Sequence, residues 1–226
     1  QADNWARPAD IGTERFIAEH LQTPERLRLA EVPSGGHVPA LKYPHPITIS
    51  GCVIDAFTAV GVHFAHGLTL RDVQVGGSLR MAPPELEGER ERGVVPATLF
   101  DGDVTLEKVT VGGDLLLTRA EINGRLEADA LTVEGSLLLT RARLQAPASL
   151  TKCEIRGHLV ADWMRPRAFA LTNGRIEQNL QMIGASCHGK LCLDRLAVQQ
   201  SALLMKARLL DGVQAERLHV EQALVL

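Results

Sequence analysis

Val111-Gly-Gly-Asp-Leu115-Leu-Leu117-Thr-Arg-Ala120-Glu121, Ile122-Asn-Gly-Arg-Leu126-Glu-Ala128-Asp-Ala-Leu131-Thr132 and Val133-Glu-Gly-Ser-Leu137-Leu-Leu139-Thr-Arg-Ala142-Arg143 follow one another without a gap. They are three copies of one eleven-residue unit. A fixed short period is the mark of a solenoid. Working outward, position 1 of the unit falls on Val53, Phe64, Val75, Phe100, Val111, Ile122, Val133, Leu144, Ile155, Ile176, Cys187, Val198, Leu209 and Val220. One residue is missing between Ile155 and Ile176. Position 3 is mostly glycine, as at Gly77, Gly102, Gly113, Gly124, Gly135, Gly157 and Gly189.

Apolar residues come in pairs two apart: positions 5 and 7 (Leu115 and Leu117), then position 10 and the next position 1 (Ala120 and Ile122). Spacing of two places both members on one face of a strand. Each pair therefore predicts a short extended segment with both side chains inward. Glycine between the pairs marks a corner, where a backbone with φ > 0 is expected. A helix needs a different apolar spacing, and each recurrent glycine inside one costs about 1 kcal/mol.

Core volumes set the number of units per turn. Leu117 goes with Ala120, Ala128 with Leu131 and Leu139 with Ala142; Leu204 goes with Ala207 and Ala215 with Leu218. Large-small alternates with small-large, as a closely packed narrow interior requires. The structural repeat is then about 22 residues, two units, with coils stacked about 4.8 Å apart. Val53 to Leu226 makes about seven such coils.

The inward pairs Ala120-Glu-Ile122, Ala142-Arg-Leu144, Cys153-Glu-Ile155 and Ala207-Arg-Leu209 resemble half of the pentapeptide-repeat pattern, Ala-x-Leu or Ala-x-Ile. The resemblance spans roughly residues 47–226, and Gly113–Leu117 and Gly135–Leu139 look like a glycine-rich variant from uncharacterised bacterial proteins. It implies an all-β fold, a right-handed, four-sided β-solenoid. The departure is that segments alternate between five and six residues instead of a strict five.

Residues 1–46 lack the repeat. One apolar helical face at Thr13–Leu21 and a Thr23-Pro24-Glu25 helix start predict a short N-terminal helical cap over residues 10–31. Solenoid ends need caps, because a bare end exposes core side chains and unpaired strand edges. The solenoid domain is then 47–226, with an inserted loop at about 82–99. That loop carries Glu85, Glu87, Glu89, Arg90, Glu91 and Arg92. It reads as a solvated bulge or as a projecting recognition loop, of the kind that gyrase-protecting pentapeptide proteins use. At the other end Val220–Leu226 opens another unit. The expectation is that the chain belongs to a longer protein or that another chain covers its last coil.

Composition narrows the function. Aromatics are 4% and the net charge is −3, with acids and bases interspersed. There is no basic stripe along the chain, so nucleic acid is not the expected partner. The same charge argues against a DNA mimic acting on gyrase, which needs a strongly acidic surface. No apolar run is long enough for a membrane helix. The cysteines at inward positions, Cys153 and Cys187, read as core residues, and a cytoplasmic setting is expected.

Candidate chemistry is sparse. Cys187-His188…Cys192 and His63…His66 resemble metal ligands, but Cys187 points in while His188 and Cys192 point out. The glycines do not form a phosphate loop. Asp101 and Asp103, two apart, suit a carboxylate pair of a glycan-acting β-helix enzyme. That enzyme is the alternative, although exposed aromatics and clustered acids are missing. No catalytic, metal or cofactor residues are assigned. The outward position 6 is more telling. In alternate units it reads Leu116, Leu138, Val160, Gln181, Leu203 and Val225, extended at position 8 by Ile183 and Met205. In the other units it reads Thr105, Glu127, Ser149, Ala170, Cys192 and Gln214. One apolar outer row predicts an interaction face. The expected function is a non-catalytic binding or assembly scaffold that presents Leu116, Leu138, Val160, Leu203 and Val225 to a protein partner or to itself.

Overall fold

The computed structural model describes residues 16–17, 26–30, 41–82 and 97–226. It is an all-β parallel solenoid of about 8 turns, about 22 residues apart, with no helix among the described residues. One coil runs through Val104–Glu107, Thr110–Val111, Leu115–Leu116 and Glu121–Ile122 before Leu126–Asp129 opens the next. Each segment pairs in parallel with its counterpart one coil away, Val104 opposite Leu126 and Leu115 opposite Leu137. In the order they occur along a coil, these give a first stack of nine strands, a second of eight and a third of nine. The fourth stack has six strands and continues as a separate pair, Ser186–Cys187 with Arg208–Leu209. The split falls after Arg165–Pro166, where Pro166 has no N–H to offer the next coil.

The inward pairs form the core as the spacing requires. Val104, Leu106, Val109, Val111, Leu115, Leu117, Ala120 and Ile122 are all buried. Like positions stack on like: the rings of Phe64 and Phe100 lie 4.8 Å apart at 4°, and Tyr43 stacks on Phe64 at 5.9 Å. The volume alternation leaves an interior void of only about 10 Å³ between residues such as Leu117, Ala128 and Leu139.

Three expectations need correction. Val53 is 41% exposed, whereas Ile54 is fully buried. Ile54 pairs with Val75, but Phe57 pairs with Leu79, so the corner at Asp55 is one residue short and the frame moves by one. The position-3 glycines do not adopt positive φ. That conformation falls at position 9 instead, on Lys108, Arg119, Ala130, Arg141, Lys152, Trp163, Gly184 and Arg195. Position 3 is glycine because neighbouring coils touch there. A Cβ on Gly124 would sit 2.4 Å from the carbonyl carbon of Gly102, and one on Gly157 would sit 2.6 Å from the Gly135 oxygen. Finally, the described parts of the expected helical cap are strands. Phe16–Ile17 pairs with Ile47–Thr48, and Arg26–Ala30 pairs with Ala56–Ala59. Arg26-Leu-Arg-Leu-Ala30 alternates with period two, and the open edge of the first coil supplies the hydrogen bonds that such a segment needs. The rest of residues 10–31 lies outside the described residues.

The insertion leaves the register intact. Leu79 and Leu115, paired directly, are 36 residues apart, whereas Leu115 and Leu137 are 22 apart. The extra residues therefore fall, in the chain, between Arg80 of the third stack and Leu99 of the fourth. Met81, Ala82 and Thr98 flank them and are buried. Thr98 Oγ1 donates to the Ala59 carbonyl (3.0 Å) and accepts from the Gly61 N–H (3.1 Å), tying the re-entering chain to the preceding coil. Glu85, Glu87, Glu89, Arg90, Glu91 and Arg92 lie outside the described residues.

Candidate functional site

The apolar outer row of position 6 is continuous in the fold. Arg80, Leu116, Leu138, Val160, Gln181, Leu203 and Val225 are successive partners along the third stack. From Leu116 to Val225 every one is half-buried, and all but Val225 are flanked by neighbours on both sides. Gln181 is the polar interruption, and its amide donates to Asp162 Oδ2. Asp162 Oδ1 also accepts the Ile183 N–H at 2.7 Å. Beyond this, Ile183 is half-buried and Met205 is 37% exposed, so the apolar surface broadens towards the later coils. The corresponding row of the first stack is Thr105, Glu127, Ser149, Ala170, Cys192 and Gln214, also in direct register.

Beside the apolar row runs a polar one that the hydrophobic spacing does not announce. Ser78 Oγ accepts the Asp114 N–H, Asp114 Oδ1 the Ser136 N–H and Ser136 Oγ the His158 N–H. His158 Nδ1 then accepts the Asn179 N–H, and Asn179 Oδ1 the Ser201 N–H, with distances in the row of 2.7–3.3 Å. Each side chain thus satisfies a corner N–H one coil further on that no strand reaches. The signal was present in the sequence: position 4 of these units always carries an acceptor side chain. This row fixes the corner from which Leu116, Leu138, Val160 and Leu203 project.

No family model, curated protein or solved structure matches this chain.

The other sequence candidates do not converge. Asp101 accepts from His63 Nε2 (2.6 Å) and Asn123 Nδ2 (3.0 Å), residues of the coils on either side. The hydrogen bond from His63 holds its carboxyl below the usual range, and the one from Asn123 adds to this. Asp103 Oδ1 accepts the Arg125 N–H at 2.7 Å. Both carboxylates act as ties between coils, an arrangement that keeps Asp101 ionised and unsuited to donating a proton. All four cysteines are free thiols. Cys187 is buried, His188 exposed and Cys192 half-buried, the disposition the repeat register predicts. Burial pushes the Cys153 thiol up to about 12, and the Cys187 S–H donates to the Gly189 carbonyl at 3.1 Å. Such thiols are poor nucleophiles. Among the described residues no three His, Cys, Asp or Glu side chains are placed to hold a metal ion.

Charge is distributed around the coil in a way its order along the chain hides. On the first and second stacks of the earlier coils, several bases meet acids of a neighbouring coil or of the same segment, whereas Lys190, Arg195 and Arg217 further on do not. Arg71 pairs with Glu107 at 2.7 Å, Arg156 with Glu134 at 2.6 Å and Arg125 with Glu127 at 3.6 Å. The fourth stack differs. Its outer row is Glu121, Arg143, Arg165, Ser186 and Arg208, and after the Arg143–Glu121 contact (3.0 Å) it contains no acid.

Proposed function

We propose that this chain is a non-catalytic binding and assembly scaffold whose third-stack outer row docks a protein partner or a second copy. The observation that carries this reading is the register of Leu116, Leu138, Val160, Leu203 and Val225 on one outer surface, interrupted at Gln181. An apolar stripe of this length on a thin rod is suited to burial against another flat surface. Among the described residues the void between Leu117, Ala128 and Leu139 has room for about one water at most, too little for a ligand. The right-handed, four-sided form and the likeness to pentapeptide-repeat proteins belong to this proposal. They are supported by the 22-residue spacing and by the buried Ala120–Ile122, Ala142–Leu144 and Cys153–Ile155 pairs. A cytoplasmic setting is proposed on the free thiols. No helix among the described residues is long and apolar enough to cross a membrane.

Light scattering of the wild type against Leu138→Lys/Leu203→Lys tests the docking face. Both side chains point outward, so the double variant is expected to fold with an unchanged melt. The wild type is expected to associate with concentration, burying roughly 800 Å² per partner, and the variant to stay monomeric. An oligomer that survives both substitutions sinks the self-association reading. A wild type that stays monomeric leaves the docking of a different protein as its remaining form.

A further inference from the structure

We propose that the corner between the third and fourth stacks, with the outer row of the fourth, binds single-stranded nucleic acid, with Trp163 as the stacking platform and arginines and a lysine around it holding the phosphates.

Trp163 is 55% exposed in a chain whose other described aromatic side chains are buried. It occupies the left-handed corner position at φ 57°, a conformation uncommon for a bulky side chain. Its indole lies flat on the next coil: a Cβ on Gly184 would come within 2.8 Å of ring atoms Cε3 and Cζ3. Only glycine accommodates the ring there, and Gly184 also has a positive φ of 66°. One face of the indole is thus seated on backbone, while more than half of the residue stays exposed.

Basic residues hold neighbouring positions on the same corner and on the fourth stack. Arg141 and Lys206 hold the same corner position one coil before and two coils after it, both with positive φ. Arg143 and Arg165 face each other directly on the fourth stack, with Arg208 two coils on, and Arg167 follows at the next corner. Like charges directly opposed across a parallel pair are destabilising. On the first and second stacks no two bases are directly opposed: Arg71 stands opposite Glu107 and Arg175 opposite Glu154. Here only Arg143 has an acid, Glu121, and no described carboxylate lies within 4.0 Å of Arg141, Arg165, Arg167, Lys206 or Arg208. The relief these charges lack is an external anion, and arginine forks suit phosphate.

An exposed indole among arginines favours a nucleic acid strand over other polyanions, since every base has a π-face to lay on it and each phosphate an arginine to meet. A single strand is favoured over a duplex, because only an unpaired base is free to lay its π-face on the indole. The arginines of the fourth stack lie off the apolar row, whose extension at Ile183 and Met205 reaches the same corner.

The test is fluorescence anisotropy with a labelled oligothymidylate of about 15 nucleotides, within the usual site size. Binding is expected at low salt, falling with a slope of about −0.7 per phosphate contacted. Trp163→Ala should weaken it by roughly 5- to 150-fold, the range for one stacked base, while Trp163→Phe restores most of it. Arg165→Glu/Arg167→Glu should weaken binding further and flatten the salt slope, with the melting curve showing that the fold is kept. In a Trp5→Phe background the emission of Trp163 should be quenched on titration. Absence of binding at low salt overturns the proposal. So does equal binding of heparin or of a duplex of the same length with no loss in Trp163→Ala, which would make the face a general polyanion surface.

Discussion

Gly135 shows how tightly one coil sits on the next. A Cβ at this position would fall 2.3 Å from Asp114 Oδ1 and 2.8 Å from the Gly113 backbone. Asp114 is not free to withdraw, because that oxygen accepts the Ser136 N–H. Gly135→Ala is therefore expected to destabilise by about 1–3 kcal/mol, the usual cost of overpacking. Arg141 presents the reverse case. It holds φ 59° with a side chain, and replacing it by glycine removes a backbone cost of about 1 kcal/mol, partly offset by greater freedom of the unfolded chain. Arg141→Gly should then melt at or slightly above the wild-type temperature, and Gly135→Ala well below it. Were the two results exchanged, the reading of position 3 as a contact site and position 9 as the left-handed corner would be wrong. The recurrence of both positions is legible in the sequence, but their reasons are not. A glycine kept for space and one kept for φ look identical in one-letter code, and lysine and arginine at position 9 gave no hint of an unusual backbone. The acceptor row of Asp114, Ser136, His158 and Asn179 was legible in principle, because residues of different size share only a side-chain acceptor.

At the level of the strand, the two-residue period decides which side chain is inside, and adjacent residues test it. Leu137 is buried in the core while Leu138, its neighbour, lies on the outer row. Leu137→Asp places an unpaired charge in a narrow apolar interior and is expected to unfold the domain or cost several kcal/mol. Leu138→Lys should cost under about 0.5 kcal/mol, as surface changes do. Thermal melts showing similar losses for both would mean that the strand does not alternate as described. Most strands could be placed this way because the inward pairs recur with so little variation. The exceptions arise where length or context changed. A corner one residue short at Asp55 moved the buried position from Val53 to Ile54. At the N-terminus, a Thr-Pro-Glu helix signal stood beside an alternating Arg26–Ala30 segment, and the edge of the first coil favoured the strand. The insertion was recognisable from the lost beat, and the flanking strands pair as though it were not there. Its charges and adjacent prolines are ill suited to a ladder, and loop length costs little entropy. Deleting Glu85–Gly93 is expected to leave the melting temperature nearly unchanged in scanning calorimetry. A fall of about 10 °C, on the order of 3–5 kcal/mol for a domain this size, would assign the segment a packing role.

Across the whole molecule, every coil is held only by the coils before and after it. The Leu137 N–H points forward to the His158 carbonyl at 2.8 Å, and the Glu134 N–H points back to Val111 at 2.8 Å. Stability in such a rod is a sum of nearest-neighbour terms, so it varies along the axis. The coils from Val104 to Val198 have neighbours on both sides and keep their inward residues buried. In the final coil Leu209 and Val220 are only half-buried, and Val213 and Leu224 are exposed. Hydrogen exchange followed by mass spectrometry should therefore show the slowest amides between residues 104 and 198 and the fastest ladder amides in 209–226. Leu159→Ala, a change to a fully buried side chain of a central coil, should cost about 2–5 kcal/mol. It should speed exchange chiefly in the coils that touch it, those of Leu137 and Leu180, before it affects Leu68 or Leu204. Uniform exchange along the rod, or a loss of protection spread evenly by Leu159→Ala, would show one cooperative unit in place of a nearest-neighbour stack. Protection in 209–226 that rises with protein concentration would place a second copy over that coil. The apolar row of the third stack would then be left to a partner of different sequence.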